Sequence, residues 1–178
     1  ITHRRWFVYA NEELAQLVGD KIGSDWITKP ELLEKFLPFA DDKDVQAKFL
    51  AIKQRNKDKL AAYIKKKNNI EVDTHSIFDV QVKRLHAYKR QLMNVFHIMY
   101  LFNRMKEDTF FRIRPQTFIF GAKAAPSYVY AKKIIELINA VADRVNRDPD
   151  INPYMKVVFL ENYGVSLAEI IIPATDVS

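Results

Sequence analysis

The chain has 178 residues, 48% hydrophobic and 28% charged, which is enough apolar material for one substantial domain or two small ones. Cysteine is absent, which excludes disulfides and thiolate metal sites and fits a cytoplasmic address. Lys plus Arg number 28 against 22 Asp plus Glu, and the resulting +6 favours anionic partners such as phosphate esters, nucleic acid or an acidic surface without choosing among them. No apolar run is long enough to cross a bilayer and no signal peptide opens the chain, so no membrane partner is expected. Ile1 is not a start methionine and Ser178 follows an apolar run, so both ends read as cut from something longer.

Residues 1–75 read as a helical lead-in. Asn11 is placed to cap a helix with Glu12 and Glu13 in its acidic first turn and Leu14, Leu17, Val18 and Ile22 on one face, ended by Gly23. Pro30 suits the first position of a short helix carrying Leu32, Leu33, Phe36 and Leu37. A long helix starts after Asp41-Asp42, with Val45, Phe49, Ile52, Leu60, Tyr63 and Ile64 as its apolar stripe and a Lys-rich solvated face ending in KKKNN.

Residues 76–178 read differently. SIFDVQV is a strand, and Leu92, Val95, Phe96, Met99 and Tyr100 recur at helical spacing, with Phe96 and Tyr100 expected in the core. QTFIF is a second strand stopped by Gly121, where glycine permits a tight turn. Ile134, Ile135, Ile138, Val141, Ala142 and Val145 mark a second helix, and KVVFL a third strand. VSLAEIIIPATD reads as a short helical turn and then a fourth strand. The alternation predicts an α/β fold, a βαβαβ part of a doubly wound, Rossmann-like parallel sheet with right-handed crossovers.

Ligands of such sheets bind at the carboxyl ends of the strands. Those ends are Val82-Lys83-Arg84, Gly121-Ala122-Lys123 and Glu161-Asn162-Tyr163-Gly164, so all three should line one rim. The run FDVQVKRLHAYKRQL adds Lys89 and Arg90 in or near the first turn of a helix, where the macrodipole disfavours each cation by roughly 0.3–1 kcal/mol. A bound anion would reverse those signs, and Lys83, Arg84 and Lys89 are read as an anion site. Arg90 reads as solvated and His86 as a structural histidine. Lys123 serves either the anion site or a neighbouring acid. Tyr163 either stacks on a planar ligand or is an ordinary rim tyrosine. The spacings of the P-loop and of G-x-G-x-x-G are missing, no His, Asp and Glu cluster has metal-ligand spacing, and no Ser–His–Asp set stands out.

FDVQVKRLHAYKRQLMNVFHIMYLFNR, FGAKAAPSYVYAK and VVFLENYGVSLAEIIIPATDVS, in that order and preceded by ITHRRW, resemble signatures of the α-glucan (glycogen, starch and maltodextrin) phosphorylase family, with a bacterial look. The resemblance covers essentially the whole chain. It implies a fragment from the first part of the C-terminal domain of a two-domain, glycosyltransferase-B-type fold. It also implies pyridoxal 5'-phosphate, held as a Schiff base on a lysine expected beyond Ser178. The implied reaction is reversible phosphorolysis of a terminal α-1,4-glucosidic bond of an α-1,4-glucan by orthophosphate. The product is glucose 1-phosphate with retained configuration, and the fragment alone is expected to be inactive. By motif position, Arg84 and Lys89 would clamp the substrate phosphate and act catalytically. Lys83, Val82, Trp6 and Tyr163 would bind the cofactor, and the complete enzyme would be a homodimer. Two departures stand out. GAKAAPSY puts Ala122 and Ser127 where the family commonly has glycine, and Gly164 stands where an arginine usually follows ENY. Two rival classes are a basic nucleic-acid-binding module, which the charge favours, and a nucleotide-sugar glycosyltransferase domain on a similar fold.

Overall fold

The computed structural model describes residues 4–178, and their side chains from residue 6 onward. Backbone contacts divide the chain into two compact units, residues 1–60 with 169–174 and residues 61–168 with 175–178.

The first unit opens with a π-helical turn, Arg4–Tyr9, followed by α1 (Glu12–Ile22). Two 3-10 segments follow, Asp25–Ile27 and Pro30–Phe39, and then the first part of α2 (Lys43–Asn68). Its core is Ala15, Val18 and Trp26, with Phe7, Leu14, Ile22, Leu32 and Leu33 packed around them. Leu17, Val45 and Ile52 form a second cluster. The start of α2 is capped by Asp42, whose Oδ1 accepts from the N–H groups of Asp44 at 2.9 Å and Val45 at 3.3 Å. Asn11 does not cap α1 with its side chain, because its Oδ1 accepts from Asn56 Nδ2 at 3.0 Å instead. Phe49, expected on the apolar stripe of α2, is 45% exposed.

The second unit is a three-stranded parallel sheet, β1 (Ile77–Val82), β2 (Gln116–Gly121) and β3 (Met155–Leu160), in the spatial order β1-β2-β3. Ile77 pairs with Gln116 and Gln116 with Met155, so the carboxyl ends Val82, Gly121 and Leu160 stand level. α3 (Gln91–Glu107) and α4 (Val129–Arg147) connect the strands. Crossovers of one hand along a 1-2-3 order place successive helices on the same face, and α3 and α4 share one core cluster. That cluster takes Phe118 and Phe120 from β2, Met155, Val157 and Phe159 from β3, and Ile98, Leu101, Ile134 and Ile138 from the helices. The opposite face of the sheet, Phe78, Val80, Ile119, Val158 and Leu160, is buried too, as a two-sided parallel sheet requires.

Two expectations are corrected here. The buried stripe of α3 is Gln91, Val95, Ile98, Leu101 and Met105, which turns Phe96 and Tyr100 outward to 48% and 57% exposure. No fourth strand lies within 165–174, because that run is the helix α5 (Val165–Ala174). Strand-like pairing begins only at Val177, which bridges Asp79 in parallel, its carbonyl accepting from Val80 N–H at 2.8 Å.

At the amino end of the sheet, charge is compensated around Lys106, whereas Arg112 and Arg114 before β2 have no carboxylate partner among the described residues. Lys106 at the end of α3 meets Asp148 at 3.3 Å and Asp150 at 2.9 Å. Burial alone would raise the Asp148 carboxyl, but Lys106 and the N–H groups of Asp150 and Ile151 outweigh it and hold the pKa below the ordinary value. Asp79 of β1 is the opposite case. Burial raises its pKa, and the bond from Gln116 Nε2 at 2.8 Å and the charge of His97 only partly offset that.

Candidate functional site

The rim follows from register. The backbone ladder between β1 and β2 runs past the strand ends, because Lys83 N–H donates to Gly121 O at 3.0 Å and Leu85 N–H to Lys123 O at 3.1 Å. These bonds bring the Lys83-Arg84 segment alongside Ala122-Lys123. Leu85 and Ala122 are buried and anchor the two loops, while Lys83, Arg84 and Lys123 stand exposed between them.

The chain then makes a 3-10 turn, Ala87–Lys89, and Arg90 takes φ 59°, ψ 30° before α3 begins. A left-handed conformation at a residue with a Cβ is unfavourable by about 1 kcal/mol, so neighbouring contacts must hold it. Lys89 therefore sits in the turn before α3 rather than in its first turn, with Nζ 5.7 Å from the centre of the Tyr88 ring. Arg90 is exposed, as a solvated side chain should be. His86 packs between aromatic rings, 4.5 Å from Tyr88 and 5.3 Å from Tyr128, and the Tyr128 hydroxyl accepts from Ala87 N–H at 3.3 Å.

Among the described residues, no carboxylate pairs with Lys83, Arg84, Lys89 or Lys123. Of the two readings of Lys123, a neighbouring acid thus finds no support.

Val82 and Tyr163 converge on Gly121. A Cβ built at Gly121 would lie 2.9 Å from Val82 Cγ1, 3.4 Å from Tyr163 Cδ2 and 3.5 Å from Tyr163 Cβ. Gly121 has no positive φ, so close approach of side chains, not a tight turn, is what requires glycine there. Tyr163 is half-buried, and that burial raises its hydroxyl pKa. Asn162 precedes it with φ 54°, turning the chain sharply out of β3. At Gly164 a Cβ would meet only Asn162 O at 3.7 Å, so the position has room for a side chain.

Trp6 belongs to the first unit and lines a cavity of about 240 Å³ with Phe49, Lys53, Asn56, Ile172 and Pro173. The segment before it, residues 1–3, lies outside the described residues, and the side chains of residues 4 and 5 do as well.

Three residues that sequence reasoning passed over fix the β1–α3 loop. Gln91, only 2% exposed, donates from Nε2 to Arg84 O at 3.3 Å and accepts at Oε1 from His86 N–H at 3.5 Å. Gln81 donates to Lys89 O at 3.5 Å and is itself held by Asn94 Nδ2 at 3.1 Å. The available signal is polar residues at positions where the α3 stripe and the α3-facing side of β1 would otherwise be apolar.

A parallel sheet of this order, with helices on its connections, makes the chain an α/β, Rossmann-like protein whose carboxyl strand ends carry exposed cations. The family model described as carbohydrate phosphorylase matches residues 1–178, and the chain belongs to that family. It is 56% identical to the glycogen phosphorylase of Bacillus subtilis (strain 168) over 178 residues, all of this chain and 22% of that protein. The muscle form of Mus musculus is 46% identical, with all of this chain and 21% of the relative covered, and the brain form of Ovis aries gives the same figures. The chain thus spans about a fifth of the length of the curated relatives it matches.

Proposed function

We propose that this chain carries the phosphate and cofactor rim of an α-glucan phosphorylase. Such an enzyme splits terminal α-1,4-glucosidic bonds of an α-1,4-glucan with orthophosphate and releases glucose 1-phosphate with retention. The observation that carries the reading is the rim itself. Backbone bonds from Lys83 to Gly121 and from Leu85 to Lys123 gather cations that no described carboxylate neutralises, in a chain 56% identical to a glycogen phosphorylase.

Arg84 and Lys89 take the clamp role. The guanidinium offers paired donors to a phosphate, and the ammonium adds a point charge. Both act on charge that moves during glycosyl transfer, which makes them electrostatic catalysts. Concentrated positive charge is what two adjacent phosphates need, and Lys83 faces the second of them in this reading. Val82 and Tyr163 suit a flat heteroaromatic ring, because their apolar atoms come together over a glycine. Pyridoxal phosphate, when bound, supplies a phosphate group that exchanges a proton with the substrate phosphate. Motif position assigns Trp6 to the cofactor as well. The lysine that carries the cofactor belongs to a segment outside this sequence. The same reading makes residues 1–75 a lead-in and 76–178 the working half, and the whole enzyme a cytoplasmic homodimer.

The test is Arg84→Ala in the intact protein. Phosphorolysis should fall roughly a hundred- to thousand-fold with the fold preserved, the size of losing one preorganised donor. Activity near wild type in a folded variant contradicts the clamp. Lys83→Ala should release pyridoxal phosphate on dialysis, measured by its absorbance in the retained protein, and unchanged retention contradicts the cofactor role.

A further inference from the structure

We infer that Gln81, Gln91 and Asn94 form a neutral carboxamide frame that positions the cationic β1–α3 loop, with Gln91 as its principal positioning residue. The inference rests on the phosphate-clamp reading of Arg84 and Lys89.

The geometry is specific to backbone control. Gln91 uses both ends of its amide, one on Arg84 O and one on His86 N–H, so a single side chain fixes the peptide groups on either side of Leu85. Gln81 and Asn94 act on the far end of the loop, through the Lys89 carbonyl. Together the three amides set where Arg84 leaves the strand and where the turn at Lys89 stops. The left-handed Arg90 follows directly, and its own N–H is tied to Ala87 O at 3.2 Å.

The chemistry of the frame is the informative part. At several turns and helix starts elsewhere, backbone N–H groups are pinned by carboxylates, although Asn146 grips both the N–H and the carbonyl of Val157 with its amide. Asp42 holds Asp44 and Val45, Asp73 holds His75, Asp108 holds Phe110, and Asp148 holds Asp150. A carboxylate in the β1–α3 loop would stand beside Arg84 and Lys89 and cancel the charge a phosphate needs. An amide supplies a donor and an acceptor with no net charge, so it orders the loop and leaves the cations uncompensated. Burial of Gln91 strengthens its bonds and excludes water from the Arg84 peptide.

The experiment is steady-state phosphorolysis by the intact protein, with orthophosphate and glucan varied separately. Gln91→Met keeps the volume and removes both bonds. The KM for orthophosphate should rise about tenfold, as misplacement of a clamp predicts, with the KM for glucan unchanged. A merely structural role would instead lower the amount of active enzyme and leave both KM values alone, and that outcome overturns the inference. Gln91→Glu adds a pH readout. Its phosphate KM relative to wild type should approach one at acid pH, where a neutral carboxyl can donate to Arg84 O. It should climb with pH as the carboxylate opposes that carbonyl and the rim charge. A ratio flat with pH overturns the frame, and this arm decides if Gln91→Met does not fold. Arg84→Ala, run alongside, separates the two claims. A phosphorolysis rate and a phosphate KM both at the wild-type level there overturn the clamp itself, whereas an Arg84→Ala defect with unaltered Gln91 variants overturns only the frame.

Discussion

The two ends of the parallel sheet differ in how far their cations are paired. At the amino end Lys106 lies between Asp148 and Asp150, and Arg104 faces Asp108 at 3.8 Å. At the carboxyl end Lys83, Arg84, Lys89 and Lys123 have no carboxylate partner among the described residues, and the loop between them is ordered by amides. One sheet thus presents a floor where Lys106 and Arg104 meet acids, although Arg112 and Arg114 do not, and a rim where four cations have no described carboxylate partner. The rim is set apart by four cations gathered on adjoining strand ends and the turn before α3, with no described acid paired to any of them. The fold can place acids beside bases within the same unit, and it does so where no ligand is bound in our reading.

Breaking the rim should cost activity, and breaking the floor should cost stability. The largest effect is the loss of phosphorolysis in Arg84→Ala described above, which should come with an unchanged or slightly higher Tm, since like-charge repulsion is relieved. Next is Gly121→Ala. Its new Cβ would press on Val82 Cγ1 at 2.9 Å, and thermal unfolding should register a loss of roughly 1–3 kcal/mol, the range for overpacking. Unaltered stability in that variant would mean that Val82 and Tyr163 yield freely and form no fixed wall.

The floor gives a smaller effect with a definite sign. Asp148→Asn should lower Tm at neutral pH without changing the rate per folded molecule. The native Asp148 pKa is depressed, so its contribution is present above the unfolded carboxyl value and disappears as pH falls through the lower folded one. The gap between wild type and variant should therefore close in acid, and a gap constant with pH would show that Lys106 does not stabilise the ionised form. Asp79 has the reverse sign and the smallest effect. Burial raises its folded pKa, so its ionisation disfavours the fold as pH rises past the unfolded value. Asp79→Asn, followed by Tm against pH, should be at least as stable as wild type at neutral pH and show a flatter profile. A steeper profile would reverse the assignment.

Much of this was legible in the residues. SIFDVQV, QTFIF and KVVFL each became a strand, and parallel order alone put Lys83, Lys123 and Tyr163 at one edge. The run EIII was not decidable by pattern, because a short apolar stretch fits a buried helix as well as a strand, and it is part of α5. Phe96 and Tyr100 were misplaced through helix phase. Gln91 occupies the buried stripe in place of an apolar residue, and a pattern search for apolar spacing slides past it. The frame was hidden for the same reason. Gln81, Gln91 and Asn94 look like solvated polar residues until the register of β1 against α3 brings them to the loop backbone. The requirement for glycine at Gly121 was visible, but its cause was not, since crowding by Val82 and Tyr163 depends on β1 and on the loop after β3.

The central claim is that the rim binds phosphate. The measurement that tests it most directly is calorimetric titration of orthophosphate into the intact protein, wild type against Arg84→Ala/Lys89→Ala. The account predicts saturable binding in the wild type that weakens with added salt, and a loss of at least about a hundredfold in the double variant. Equal affinity in the two proteins would contradict it.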